Sequence, residues 1–380
     1  MASFAELKSS ALRLATNCRG WRTQRRLLVI ESDDWGAIRM PSRQAWQALL
    51  SAGIRVDRSR YDSLDCLENR ADLEALLDVI GRHRDLHGSP ATFTFNTVMG
   101  NPDFDAIKEH DFQSYHRESL FESYRKYHAE ELEPIWDAAQ EEKLIRPQLH
   151  AREHLNSTLW MKDLQAGLAE TRKAFAHRFY GLKTKTSSEH QKNYLAACWA
   201  ESPEDVRQMG EALSEAADAF QAAFGFRSST FIPCNYVLPE ELEPKLAKIG
   251  IGLLQCQRGR IQPVPDRGGR ASIRRHFTGQ KNAIGQFFSV RNVMFEPYLD
   301  ERADWVRKAL NEIREAFQLN RPAIISTHRI NYVSGMCGKH RDRCLILLDE
   351  LLRTVSNRWP DVEFITSDTL MELMRSDDRH

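Results

Sequence analysis

The chain has 380 residues, with 53 Lys and Arg against 53 Asp and Glu, so its formal net charge is zero. At roughly 100–200 residues per domain this length fits two or three domains or a single α/β barrel. A composition of 42% hydrophobic and 28% charged residues is that of a globular chain and excludes a disordered one. Zero net charge speaks against a nucleic-acid partner, which calls for a basic surplus or a basic face. The short clusters at Arg22, Arg25, Arg26 and at Arg270, Arg274, Arg275 read as solvated surface.

The first 24 residues carry Arg13, Arg19 and Arg22 and no sustained apolar core. Leu7, Leu12 and Leu14 suit an amphipathic helix better than an export signal. The expected organisation is an N-terminal helical extension over 1–24 and one domain over 25–380. No stretch approaches the ~18 apolar residues of a membrane span. Seven cysteines without a Cys-x-x-Cys pair point to reduced thiols. The expected location is cytoplasmic.

From residue 26 onward, short apolar runs alternate with helical patterns. The expected strands are Arg26–Ser32, Ala91–Val98, Leu144–His150, Tyr194–Cys198, Ser229–Pro233, Gly250–Cys256, Gln286–Val290, Ala323–Thr327 and Val362–Thr366. The expected helices are Arg43–Leu50, Leu67–Arg82, Arg117–Glu142, Leu159–His177, Pro203–Phe224, Pro239–Ile249, Glu301–Phe317 and Arg341–Arg358. Ser202-Pro203-Glu204-Asp205 is a helix start with Pro at the first position. Alternation of this kind predicts parallel βα units, and unbroken apolar runs predict strands covered on both faces. The expected fold is a single, irregular, seven-stranded (β/α) barrel, with an open doubly wound sheet as the alternative. The stretches Lys183–Asn193 and Arg258–Gly279 read as long loops.

In a βα barrel, reactive residues stand at the C-terminal ends of strands. Four segments do so here. Asp33-Asp34 follows the first run; two adjacent carboxylates repel, so a cation or a proton must compensate one of them. The alternative reading is an Asp helix cap. His150 and His154 follow the third run at i, i+4, a spacing that lets two imidazoles share one metal ion. The same residues match His-x-x-Glu-His, the inverted zinc-peptidase pattern with Glu153 as base. That pattern belongs inside a long helix, whereas Pro147 and a strand-like run lead into this one. His328 follows the run at Ala323, where an imidazole suits a general acid. Pro233-Cys234-Asn235-Tyr236 follows the run at Ser229; it reads either as a plain turn or as a loop lining a pocket.

In this order the segments resemble the polysaccharide deacetylase family (carbohydrate esterase family 4, NodB-like), over residues 27 to about 332. The resemblance implies that Asp34, His150 and His154 hold a divalent metal ion, zinc first, with cobalt, manganese, nickel and iron also compatible. It implies Asp33 as the general base and His328 as the general acid. The implied reaction is removal of an acetyl group from an N-acetylated sugar in an oligosaccharide or glycoconjugate. The substrate-facing candidates are Trp35, Asn96, Asn235, Tyr236 and Arg291, with a backbone amide near Asn235 or Tyr236 for the oxyanion. The chain departs from the family in one loop. Where the family has Arg-x-Pro, its Arg pairing with the base, this sequence has Phe231; Arg152 and Arg329 are the candidate replacements. Asp304-Trp305 has the letters of another family motif but sits in a helical pattern, so Trp305 reads as packing. Two other readings remain open: a glycoside hydrolase pairing Asp33 with Glu31 or another acid, and an inactive carbohydrate-binding barrel.

Overall fold

The computed structural model describes residues 16–182, 194–265 and 270–378. Among the described residues nine strands form the main sheet. They are β1 (Arg26–Trp35), β2 (Phe93–Val98), β3 (Ile145–Ala151), β4 (Thr230–Phe231), β5 (Leu253–Cys256), β6 (Phe287–Val290), β7 (Val293–Met294), β8 (Ala323–His328) and β9 (Val362–Ile365). Every pairing among them is parallel, in the order β6-β5-β4-β3-β2-β1-β8-β7, with β9 also on β1.

The two ends of that path are consecutive stretches of chain. β6 and β7 are separated by Arg291 and Asn292 alone. The Arg291 amide donates to Cys256 O, extending the β5 pairing, and the Asn292 amide donates to Ile324 O, opening the β8 pairing. Counted once, this bent stretch closes a ring of seven strand positions. β9 lies outside the ring and pairs with Arg26–Val29 of β1. The chain is a single, irregular (β/α) barrel.

Alternation along β1 separates two environments. Leu28 and Ile30 join the large cluster beneath the surrounding helices. Leu27 and Val29 join Leu253, Phe287 and Ile324 from other strands, sealed by Leu370, Met371 and Met374 of the last helix, Ser367–Asp377. Further along, the interior turns polar. Asn96 of β2 and Gln255 of β5 bond each other across the ring at 2.8 and 3.0 Å, and Gln255 also donates to Thr230 Oγ1 of β4 at 2.8 Å. The C-terminal mouth is therefore where buried polar groups accumulate.

Several expected elements differ in form. Tyr194–Cys198 is a buried turn segment and not a strand. Its backbone is taken up by Asn156, whose amide donates to Tyr194 O, and the Tyr194 hydroxyl donates to Asp163. The span 117–142 breaks into a short strand, Arg117–Ser119, and the helices Leu120–His128 and Glu133–Glu141. Ala129 adopts φ 56° and Pro134 opens the second helix. Gly167, at φ 70°, divides the span 159–177 in the same way. The helix Pro203–Phe224 forms as expected, with a reciprocal Ser202–Asp205 capping box. Trp305 is buried in the core, as its helical setting implied. The segment Lys183–Asn193 and most of 1–24 lie outside the described residues.

Beside the mouth, Arg329 is fully buried between Asp65 and Glu68, with contacts of 3.0 and 2.8 Å. Glu68 also accepts the Gly36 amide and the Tyr124 hydroxyl. This cluster ties the turn after β1 to the turn after β8. Removing one member of a buried ionic cluster leaves the others uncompensated. Arg329→Met is expected to destabilise the protein by about 3–5 kcal/mol, read as a lower urea midpoint; an unchanged midpoint would contradict a tethering role.

Candidate active site

Two β-bulges build the site. Along β1–β2 the register runs Ser32 with Phe95 and then Trp35 with Thr97. Three steps on one strand match two on the other, so one residue of the Asp33-Asp34 pair is extra. Asp34 takes φ 75° at this point, a left-handed conformation that non-glycine residues rarely adopt. Along β2–β3, Thr97 pairs with Leu149 and Val98 with Ala151, so His150 is the extra residue. Both irregularities turn side chains towards the barrel mouth. Neighbouring carboxylates, which an even strand would send to opposite faces, both line one cavity of about 390 Å³ together with His150, His154, Asn235, Tyr236 and His328.

Asp34 Oδ1 lies 3.3 Å from Nε2 of both His150 and His154. His150 Nδ1 donates to the Ile232 carbonyl at 2.8 Å, which fixes the ring so that Nε2 faces Asp34. Cys234 Sγ lies 3.8 Å from the same Nε2. Burial works against ionisation of Asp34, yet His154 and His150 hold its carboxyl well below the usual range. Burial likewise disfavours charge on His154, but Cys234 and Asp34 raise it to about 9. A carboxylate oxygen 3.3 Å from each of two imidazole nitrogens, with one ring held from behind, fits a divalent cation.

Asp33 is held from the opposite side of the ring. Arg291 grips both its oxygens, Nη1 to Oδ2 at 2.7 Å and Nη2 to Oδ1 at 2.6 Å, while Nε reaches Glu31 at 2.7 Å. Asn96 Nδ2 adds a bond to Asp33 Oδ1 at 2.7 Å. Burial pushes the Asp33 carboxyl up, and the Arg291 guanidinium overrides it, so Asp33 is lowered and ionised. Glu31 is raised by its complete burial despite the same arginine.

His328 Nε2 stands 3.5 Å from Asp33 Oδ2. Its Nδ1 is bonded to Glu296 at 2.5 Å, and Asn331 Nδ2 holds the other Glu296 oxygen at 2.9 Å. Burial lowers the imidazole pKa, but Glu296 and then the two aspartates outweigh it, and His328 is raised to about 9. At neutral pH it carries two protons, with Nε2–H at the cavity. A second cavity of about 320 Å³ continues beyond His328, Tyr236 and Tyr298.

The structure gathers Asp33, Asp34, His150, His154 and His328 at one cavity and leaves three substrate-facing candidates outside its lining. Trp35 is buried and stacked on Phe95, ring centroids 3.7 Å apart, so it offers no face to a sugar. Asn96 is buried and spent on Asp33 and Gln255. Arg291 is committed to Asp33 and Glu31; it supplies the cation that Phe231 cannot. Arg152 is engaged with Glu153 and Glu215, and Arg329 with Asp65 and Glu68, so neither replaces the family arginine. Asn235 and Tyr236 do line the cavity, at φ 55° and 56°. The Tyr236 amide is already donated to Pro233 O, which leaves Asn235 as the oxyanion candidate.

Glu153 turns into its Arg152 pair and no helix holds the motif, which removes the peptidase reading. Glu31 faces Arg291 and Ser367 below the cavity, so the Asp33–Glu31 glycosidase pair does not form across it. Arg291, expected to face substrate from its place after a strand-like run, instead clamps Asp33; Glu296 and Cys234 are not among the expected site residues, and of these Cys234 has a local signal, its place in the loop after Pro233.

No family model matches the sequence, and no curated protein matches it. Solved structures are similar in fold. Peptidoglycan deacetylase PdaC from Bacillus subtilis matches at 10% identity and a TM-score of 0.40, covering 93% of this chain and 94% of that one. Puue allantoinase matches at 8% identity and 0.45, covering 95% and 94%. A carbohydrate esterase family 4 pseudoenzyme from Bacillus anthracis matches at 10% and 0.37, covering 91% and 66%. The chain resembles polysaccharide deacetylases at a distance.

Glu296 is the chief cause of the raised His328 pKa. Glu296→Gln is expected to lower the His328 titration by roughly 1 unit or more, followed by NMR of the ring. A midpoint that stays near 9 would show that the aspartates alone set it.

Proposed function

We propose that this chain is a metal-dependent hydrolase of the polysaccharide deacetylase type, which releases acetate from an N-acetylated sugar of an oligosaccharide or glycoconjugate. The observation that carries this reading is the meeting, at one cavity, of the Asp34–His150–His154 donor set, the Arg291-clamped Asp33 and the Glu296-backed His328. Asp34, His150 and His154 would hold the cation, zinc first. When bound, it supplies polarisation of the amide carbonyl and a more acidic water.

The chain's own groups do the rest. Asp33 is ionised and fixed in orientation by Arg291 and Asn96, and it accepts the proton of the attacking water. His328 carries its proton on Nε2 and gives it to the departing amine nitrogen, converting a poor leaving group into a neutral amine. The Asn235 amide is the donor nearest in role to an oxyanion partner. Asn235 and Tyr236 bound the substrate side of the cavity. A neutral sugar held by hydrogen bonds and stacking needs no overall field, in keeping with a net charge of zero.

Acetate release from N-acetylated sugar oligomers, measured on the zinc- or cobalt-loaded protein with and without chelator, tests the reading. Asp33→Asn is expected to lower kcat about 10²–10⁴-fold with metal binding intact. His150→Ala is expected to lose the metal. No acetate release from any N-acetylated sugar, or activity that survives both changes, would overturn it. Arg291→Gln removes the cation that lowers Asp33, so the acid limb of kcat is expected to move to higher pH. An acid limb that does not move would assign that limb to another group.

A further inference from the structure

Cys234 touches the candidate metal donors, yet the reaction above gives it no task. It follows Pro233 in the loop after β4 and is completely buried. Its apolar neighbours are Ala37, Val98 and Ala151. Packing alone would be met by that small cluster. The sulfur instead faces His150 Nε2 at 3.8 Å, and one donor atom each from Cys234, His150 and His154 lie within 4.8 Å of one another.

Three of the separations resemble those between ligands of one ion. Tetrahedral zinc with nitrogen and oxygen bonds of ~2.0–2.1 Å separates those donors by about 3.3–3.4 Å. A ~2.3 Å sulfur bond widens the sulfur–nitrogen separation to about 3.5 Å. The observed carboxylate–imidazole separations are 3.3 Å and the observed sulfur–imidazole separation is 3.8 Å. Asp34 approaches the histidine pair from β1, and Cys234 approaches it from the β4 loop. His150 is fixed from behind by Ile232 O, two residues before Cys234, so one loop both aims an imidazole and delivers the sulfur.

We infer that Cys234 Sγ is a further ligand of the cation held by His150 and His154, and that it biases the site towards thiophilic ions. The inference rests on the proposal that this histidine pair holds a cation. On binding, the thiol S–H bond breaks, the sulfur–metal bond forms, and the proton leaves to solvent. A soft thiolate added to imidazole and carboxylate favours zinc or cadmium over manganese or magnesium.

Cobalt titration of the metal-free full-length protein, read by absorbance, separates this inference from the one beneath it. The expected result is one Co²⁺ per chain with visible ligand-field bands and a near-ultraviolet sulfur-to-cobalt charge-transfer band. In Cys234→Ser and Cys234→Ala the near-ultraviolet band is expected to vanish while the visible bands persist. The preference for Cd²⁺ over Mn²⁺ is expected to fall about tenfold or more, the scale of lost metal-site support. Stoichiometric Co²⁺ binding by the unaltered protein without the near-ultraviolet band overturns the thiolate ligand and leaves the histidine–aspartate site standing. A band that survives in a folded Cys234 variant overturns it also. No Co²⁺ binding at all overturns both this inference and the metal-dependent reading. The unaltered protein's spectrum decides the matter even where a variant fails to fold.

Discussion

Arg291 lies buried between Glu31 and Asp33, two carboxylates that alternation along β1 directs into the same interior. Burying two acids on one strand without a cation would cost several kcal/mol per charge. Arg291 offsets that cost with a planar fork that satisfies both oxygens of Asp33 and one of Glu31, a geometry lysine does not offer. Burial raises Glu31 despite the arginine, whereas at Asp33 the grip of the same guanidinium outweighs burial and lowers the carboxyl. The orientation of Asp33 towards His328, and the exclusion of Asp34 from the arginine's grip, both follow from this clamp.

A second charge relation runs alongside it. Asp34 is compensated by imidazoles, Asp33 by guanidinium, and His328 by Glu296. Each acid or base at the cavity thus has its own opposite partner, approached from a different strand end. Adjacent aspartates coexist because their compensating charges come from different directions, and the bulge at residues 33–34 supplies the divergence in side-chain aim.

Much of this was legible along the chain. Asp33, Asp34, His150, His154 and His328 each follow an apolar run, and strand ends are where barrel chemistry collects. The seven-position ring was legible from the alternation of runs. Other features depend on distance in space. Arg291 is 258 residues from Asp33, and a lone arginine after a strand carries no local mark of its partner. Glu296 carries none either. Trp35 looked available to a sugar because it follows the aspartates, but the bulge that turns Asp33 and Asp34 to the mouth leaves Trp35 in register with Thr97 and packed on Phe95. Tyr194–Cys198 is as apolar as a strand, yet its backbone bonds go to Leu182 and the cap residue Asn156 and its tyrosine hydroxyl to helical Asp163 and Thr171, which no periodicity reveals.

The bent stretch that joins β6 to β7 has a consequence for how the protein comes into being. Arg291 sits at its corner, so the last gap in the ring and the clamp on Asp33 close together. A nascent chain that has produced β1 through β5 exposes a pair of acids with no guanidinium to hold them. The surroundings of Asp33 are therefore completed late in the chain, by Arg291 and then by His328, and no amino-terminal fragment ending before residue 291 carries the cation that holds Asp33.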